Sequence, residues 1–134
     1  MPSLHLAAEL FAAGVLLITS VSHVAAPRVW CRLFQDAFKH PAAGLVIGLL
    51  TLLFALPILI AHWRWTGDLR SIVTVVGWGS ACKGALYLIW PDTLVRVGAP
   101  HVRHPGRFVA AGAFGIVLSL LALLGTLRAE EWHG

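Results

Sequence analysis

Residues 41–61, PAAGLVIGLLTLLFALPILIA, decide the class of this chain. They carry no charged side chain, and about 20 consecutive apolar residues are what a helix needs to cross a bilayer core. Three further runs of the same kind cover residues 4–26, 71–90 and 108–127. The expected fold is therefore all-α: an integral membrane bundle of four transmembrane helices filling one domain, residues 1–134.

Composition agrees. Of 134 residues, 58% are hydrophobic and 12% charged, with a mean hydropathy of +0.81. A soluble domain is nearer a quarter charged, so this chain is too poor in charge to solvate its own outside. Lys and Arg outnumber Asp and Glu by 10 to 6. The basic residues sit in short links between apolar runs rather than on an aromatic-studded basic face, which excludes nucleic acid as the partner and points to membrane-flanking charge. Cys31 and Cys82 form no CxxC or zinc spacing, and Cys82, inside an apolar run, reads as a small packing residue. The start, Met-Pro-Ser-Leu-His, lacks the basic region of a signal peptide, so the first run reads as a retained helix.

The links carry their own information. In residues 27–40, Val29, Trp30, Leu33, Phe34 and Phe38 alternate at helical spacing with Arg28, Arg32, Asp36 and Lys39. That pattern predicts a short amphipathic helix in the membrane interface, with Trp30 and Phe34 as anchors. Trp63, Trp65 and Trp90 are the other expected interfacial anchors. One side carries Arg28, Arg32, Lys39, Arg96, Arg103 and Arg107, and the other carries Arg64, Arg70 and Arg128. The richer side belongs in the cytoplasm, which puts both termini outside it.

The two halves align without a gap when shifted by 64 residues. Pro27 falls on Pro91, Arg32 on Arg96, Lys39-His40-Pro41 on Arg103-His104-Pro105, Gly48 on Gly112 and Arg64 on Arg128. Residues 1–64 and 65–128 thus read as possible repeats, giving two similar helical hairpins of the same orientation, related by an axis along the membrane normal. In each, His-Pro is expected to start the next helix, because proline suits the first helical turn.

Ionisable groups within a span are expensive and need a partner. His5, Glu9, Ser20 and His23 fall within an arc of about 80° on the first helix at 100° per residue. The third span offers a matching face of Gly77, Ser80, Gly84 and Tyr87, with Lys83 at its edge. These residues form the expected intramembrane polar seam. Counted from the outer surface at 1.5 Å per residue, Lys83 lies roughly 20 Å deep and Glu9 much shallower. Glu9 is therefore expected near His5 and His62, and Lys83 near Ser20 and His23. Most simply the seam is structural glue; alternatively it is a path for a proton, ion or ligand. His5 and Glu9, four apart, with His62, give a weak metal set, and His23 is the best candidate for haem. No cofactor is expected; haem, quinone and metal stay as minor alternatives. His40, His101 and His104 read as helix-start and headgroup contacts. Gly44, Gly48, Gly112 and Gly115, like Gly77 and Gly84, allow close helix packing, within the chain or against a partner.

The stretch His62-Trp-Arg-Trp, Ile72-Val-Thr, Gly77-Trp78, Lys83-Gly84, Leu88 and Pro91 resembles a pattern in small uncharacterised bacterial integral membrane proteins with four spans. The resemblance covers about residues 62–91 and implies a bacterial inner-membrane setting without implying an activity. The quinone-linked four-helix thiol oxidases are not matched, because their paired cysteines are absent. With no Ser-His-Asp set, phosphate loop or paired-carboxylate motif, the sequence reads as a non-catalytic accessory or structural subunit of a larger bacterial membrane complex. Its partners would be lipids and other membrane subunits or itself. The alternative is a homo-oligomeric proton or solute transporter or channel, and a haem- or quinone-binding electron-transfer subunit ranks below both.

Overall fold

A computed structural model describes residues 3–63 and 65–131; Arg64, and with it the match of Arg64 to Arg128, lies outside the described residues. The order is α1 (Leu4–Ala25), α2 (Pro27–Ala37), α3 (Ala43–Ala61), α4 (Ser71–Ile89), α5 (Pro91–Gly98), a 3₁₀ turn (His101–Arg103) and α6 (Pro105–Glu131). Among the described residues there is no strand. The helices α1, α3, α4 and α6 are long and apolar enough to cross a membrane.

The helix count corrects the sequence reading. The basic link at 91–104 is not a plain connection, because α5 forms in it, opening like α2 on a proline at its first turn. Two further boundaries move. α3 begins at Ala43, after a turned segment, so Pro41 does not start it, whereas Pro105 does start α6. α6 also runs to Glu131, four residues beyond the expected apolar run.

The chain is thus long–short–long, twice. The two breaks are made alike: Ala26 has φ −133°, ψ 51° and Trp90 has φ −128°, ψ 60°. Each precedes a proline, whose ring pushes the preceding residue out of the α region. Ala26 and Trp90 are also 64 apart, like the prolines that follow them.

The spans do not form two self-contained hairpins. The principal contacts are α1 on α6 and α3 on α4, so each half packs chiefly against the other. Small residues allow this. A methyl group at Gly48 would sit 2.9 Å from the Gly84 carbonyl oxygen, and one at Gly112 would sit 2.6 Å from that of Ser20. Gly48 and Gly112, like Ser20 and Gly84, are 64 apart, so one close helix contact is made twice. The short helices follow suit, α2 lying on α6 and α5 on α3. Gly44 closes on Pro91, Gly77 on Ile58 and Leu59, and Gly115 on Ser20 and Leu16. The glycines expected as partner contacts are therefore occupied inside the chain.

Where the pairs meet, Ala12, Ala13, Ile58, Val73 and Ala122 form a buried layer, with Phe54, Ile72 and Leu123 packed on it. Cys82 is exposed and Cys31 is the buried cysteine, the reverse of what position in an apolar run suggested. Trp63, Trp65 and Trp90 are exposed. Trp30 and Phe34, also expected as anchors, are half-buried and stack on His23 and Phe108 respectively.

Candidate functional site

Polar side chains collect at two opposite ends of the bundle. At the end holding the start of α1 and the close of α6, Glu9 of α1 meets His62, the residue that caps the C-terminus of α3. Glu9 Oε1 lies 2.9 Å from His62 Nε2, and His62 Nδ1 lies 2.9 Å from Thr74 Oγ1 on α4. The Thr126 hydroxyl of α6 donates to Glu9 Oε2 at 2.8 Å. One carboxylate and one imidazole thus tie all four spans together. Glu9, His62, Thr74 and Thr126 are each at most 4% exposed. No buried side-chain nitrogen or oxygen among the described residues lacks a hydrogen-bond partner. That matters because an unmade bond at such a depth costs about 1–3 kcal/mol.

With Glu9 ionised and the ring neutral, His62 Nε2–H donates to Glu9 and Nδ1 accepts from Thr74. The order hydroxyl, imidazole, carboxylate is that of an activated nucleophile. Thr74, however, is fully buried, so no substrate reaches its hydroxyl. The other face borders a cavity of about 290 Å³, whose lining includes Ser3, His5, Thr66, Arg70 and Glu130 besides Glu9 and His62. His5 stands edge-on to His62 at 6.1 Å between ring centres. One turn further in, the layer of Ala12, Ala13, Ile58, Val73 and Ala122 closes beneath the cluster.

The mouth of this vestibule is a tight polar turn. Gly67 adopts φ +73°, a conformation that favours glycine. Ser71 Oγ accepts from the amides of Thr66 (3.2 Å) and Gly67 (3.1 Å). Asp68 accepts from Arg70 Nε and Nη2 at 3.0 and 2.8 Å. These bonds hold the Asp68 carboxyl down at about 2, and the same partnership raises the Arg70 guanidinium.

At the opposite end the arrangement is open. A cavity of about 500 Å³ lies among α1, α2, α4, α5 and α6. His23, Phe34 and Phe108 form an aromatic wall, His23 stacking on Phe108 at 5.5 Å and Phe108 on Phe34 at 5.8 Å, while Trp30, outside the lining, stacks on His23 at 4.3 Å. Trp30 Nε1 donates to Ser22 Oγ at 2.9 Å, and His23 Nδ1 donates to the Thr19 carbonyl at 2.8 Å. Tyr87, Lys83, Arg107 and His101 complete the lining, which contains no carboxylate. His23 and Tyr87, which both line it, are again 64 apart.

The residues of the expected seam are thus divided. Glu9 and His62 meet, with His5 beside them, whereas His23, Lys83 and Tyr87 share the far cavity. Ser20 joins neither; it packs against Gly112 and Gly115 of α6. Lys83 is exposed, and Ser80 is half-buried. Thr74 and Thr126 were missed, since a threonine in an apolar run gives no signal of its own. Thr126 is, however, the repeat mate of His62. Among the described residues no group of three His, Cys, Asp or Glu is placed to hold a metal ion. His40 lies in a bend and His104 in extended backbone, each with its carbonyl accepting an amide from the start of the next helix.

No protein-family model matches the chain, and no curated protein or solved structure is significantly similar to it. The likeness of residues 62–91 to small bacterial membrane proteins is a reading of the sequence alone.

Proposed function

We propose that this protein is a non-catalytic, multi-pass membrane protein that acts by association, as a small accessory or structural subunit of a larger complex in the bacterial inner membrane. The observation that carries the reading is the closed Glu9–His62–Thr74–Thr126 cluster. Its polar groups satisfy one another across four helices, so they hold the bundle rather than present a reactive group. Both termini face away from the cytoplasm, by the excess of Arg and Lys at the α2–α5 end. Because Gly44, Gly48, Gly112 and Gly115 are occupied internally, a partner subunit would dock elsewhere, on the lipid-facing sides of the spans.

The test is gentle solubilisation of native membranes followed by capture of this protein. A larger membrane protein recovered in fixed ratio supports the reading. Recovery of the chain alone, with activity in liposomes, contradicts it.

The vestibule that reaches Glu9 and His62 favours a second reading, proton or solute transport. Against it stands the apolar layer beneath the cluster, which separates Glu9 from the far cavity. Within one copy the Glu9–His23–Lys83 route is therefore interrupted. Reconstituted protein is expected to give flux no greater than empty liposomes; flux abolished by Glu9→Gln would make transport the function.

A further inference from the structure

We propose that the cavity at the α2–α5 end is a headgroup site for an anionic phospholipid drawn from the surrounding bilayer. The proposal rests on the reading that the four long helices span a membrane. Lys83 belongs to one of those helices, is exposed, and forms no ion pair among the described residues; Arg107 is likewise exposed and unpaired. A cation within a span requires a counter-charge or a path to the interface. Lys83 lies six residues before the end of α4, about 9 Å along the axis. Its stem can carry the ammonium that far toward the headgroups. Arg107 lies in the first turn of α6, and both line the cavity.

Charge complementarity selects the head of the occupant. Lys83, Arg107 and His101 converge on a space into which no carboxylate of the chain points. A phosphate diester is the anion that a bilayer supplies at that depth. The aromatic wall selects the rest. Phe34, Phe38 and Phe108 offer apolar surface beside the cations, which the glycerol and first methylenes of a lipid would cover and a soluble anion would leave bare. Phe34 of α2 and Phe38 just after it supply part of this wall, so α2 is a side of the site.

The experiment is native mass spectrometry of the intact protein in neutral detergent, titrated with dioleoylphosphatidylglycerol or with dioleoylphosphatidylcholine. One phosphatidylglycerol is expected to be retained in preference to phosphatidylcholine. Lys83→Gln and Arg107→Gln should each weaken retention about fivefold, since one basic residue near an anionic lipid contributes about 1 kcal/mol. Lys83→Arg should restore it, and Arg28→Gln, an exposed cation outside the cavity, should change nothing. Circular dichroism checks that each variant keeps its helices. Equal retention of the two lipids overturns the proposal, as does wild-type retention by the Lys83→Gln/Arg107→Gln double variant. Displacement of the lipid by millimolar inorganic phosphate also overturns it, because the site would then take a free anion. Alkaline carbonate extraction reads the other claim separately: release from membranes refutes the spanning topology, whereas lost lipid selectivity in detergent refutes the site.

Discussion

The two ends of this bundle treat ionisable residues in opposite ways. At one end Glu9 and His62 are buried, paired and surrounded by threonines from the remaining two spans. At the other, Lys83 and Arg107 stand exposed beside stacked aromatic rings with no acid facing them. Closure rigidifies, because each bond in the cluster joins a different pair of helices. Openness leaves charge to be answered by something outside the chain. An ionisable residue on a long apolar helix thus has two solutions, and this protein uses both.

The largest effect should come from opening the closed end. Glu9→Leu removes the acceptor of His62 Nε2 and leaves the Thr126 hydroxyl only the Ala122 carbonyl, with an expected loss on the order of 3 kcal/mol, read by unfolding in mixed detergent micelles. Lys83→Leu should cost nothing measurable in the same assay. If it costs as much, the distinction between the two ends collapses.

Next in size is the helix approach that both ends depend on. At Gly112 a methyl group meets the Ser20 backbone oxygen, and α1 and α6 must part to admit it. Gly112→Ala should therefore destabilise by about 2 kcal/mol, the usual range for overpacking. Nothing lies within 4 Å of the corresponding position at Gly79. Gly79→Ala should stabilise by about 0.5–1 kcal/mol, because alanine loses less chain entropy in a helix. Equal signs at the two positions would mean that α1 and α6 are not packed as described.

Thr126→Val tests one bond of the cluster. A side-chain hydrogen bond between spans contributes about 0.6 kcal/mol on average, and the loss should be near that, measured by the same unfolding assay. The smallest effect lies at the vestibule mouth. The Asp68 carboxyl is held at about 2, below its ordinary value. Its partnership with Arg70 therefore stabilises the turn at all pH values above the ordinary carboxylate range, and this is lost as pH falls through about 2. Half-exposure of the pair keeps the effect to a few tenths of a kcal/mol. Carboxyl carbon shifts of Asp68 measured by NMR between pH 5 and 2 should show the lowered midpoint, and Arg70→Gln should move it up.

Much of the closed end was legible in the sequence. Counting depth from the outer surface put Glu9 level with His62, because rise per residue is fixed in a helix. The threonines were not legible: their hydroxyls matter only once α4 and α6 are set beside that pair. The open end was harder to read, for two reasons. α5 has only eight residues and no apolar run, although the match of Pro27 to Pro91 already implied a counterpart to α2. The aromatic pattern of α2 fixes which side is apolar but not whether lipid or protein covers it. The contacts of Trp30 with His23 and of Phe34 with Phe108 could not be read from it. The seam itself failed because residues sharing a stripe on α1 need not share a neighbour: Glu9 faces His62 and Ser20 faces α6.

A pair of double-mutant cycles measures the contrast most directly. One joins Glu9→Leu with His62→Leu, and the other joins Lys83→Leu with Tyr87→Phe, all unfolded in the same detergent without added lipid. Contacting residues of a buried network couple by about 0.5–3 kcal/mol, and independent sites add within about 0.3–0.5 kcal/mol. The first cycle is expected to fall in the coupled range and the second to be additive. Additivity between Glu9 and His62, or strong coupling between Lys83 and Tyr87, would contradict the division of the molecule into one closed end and one open end.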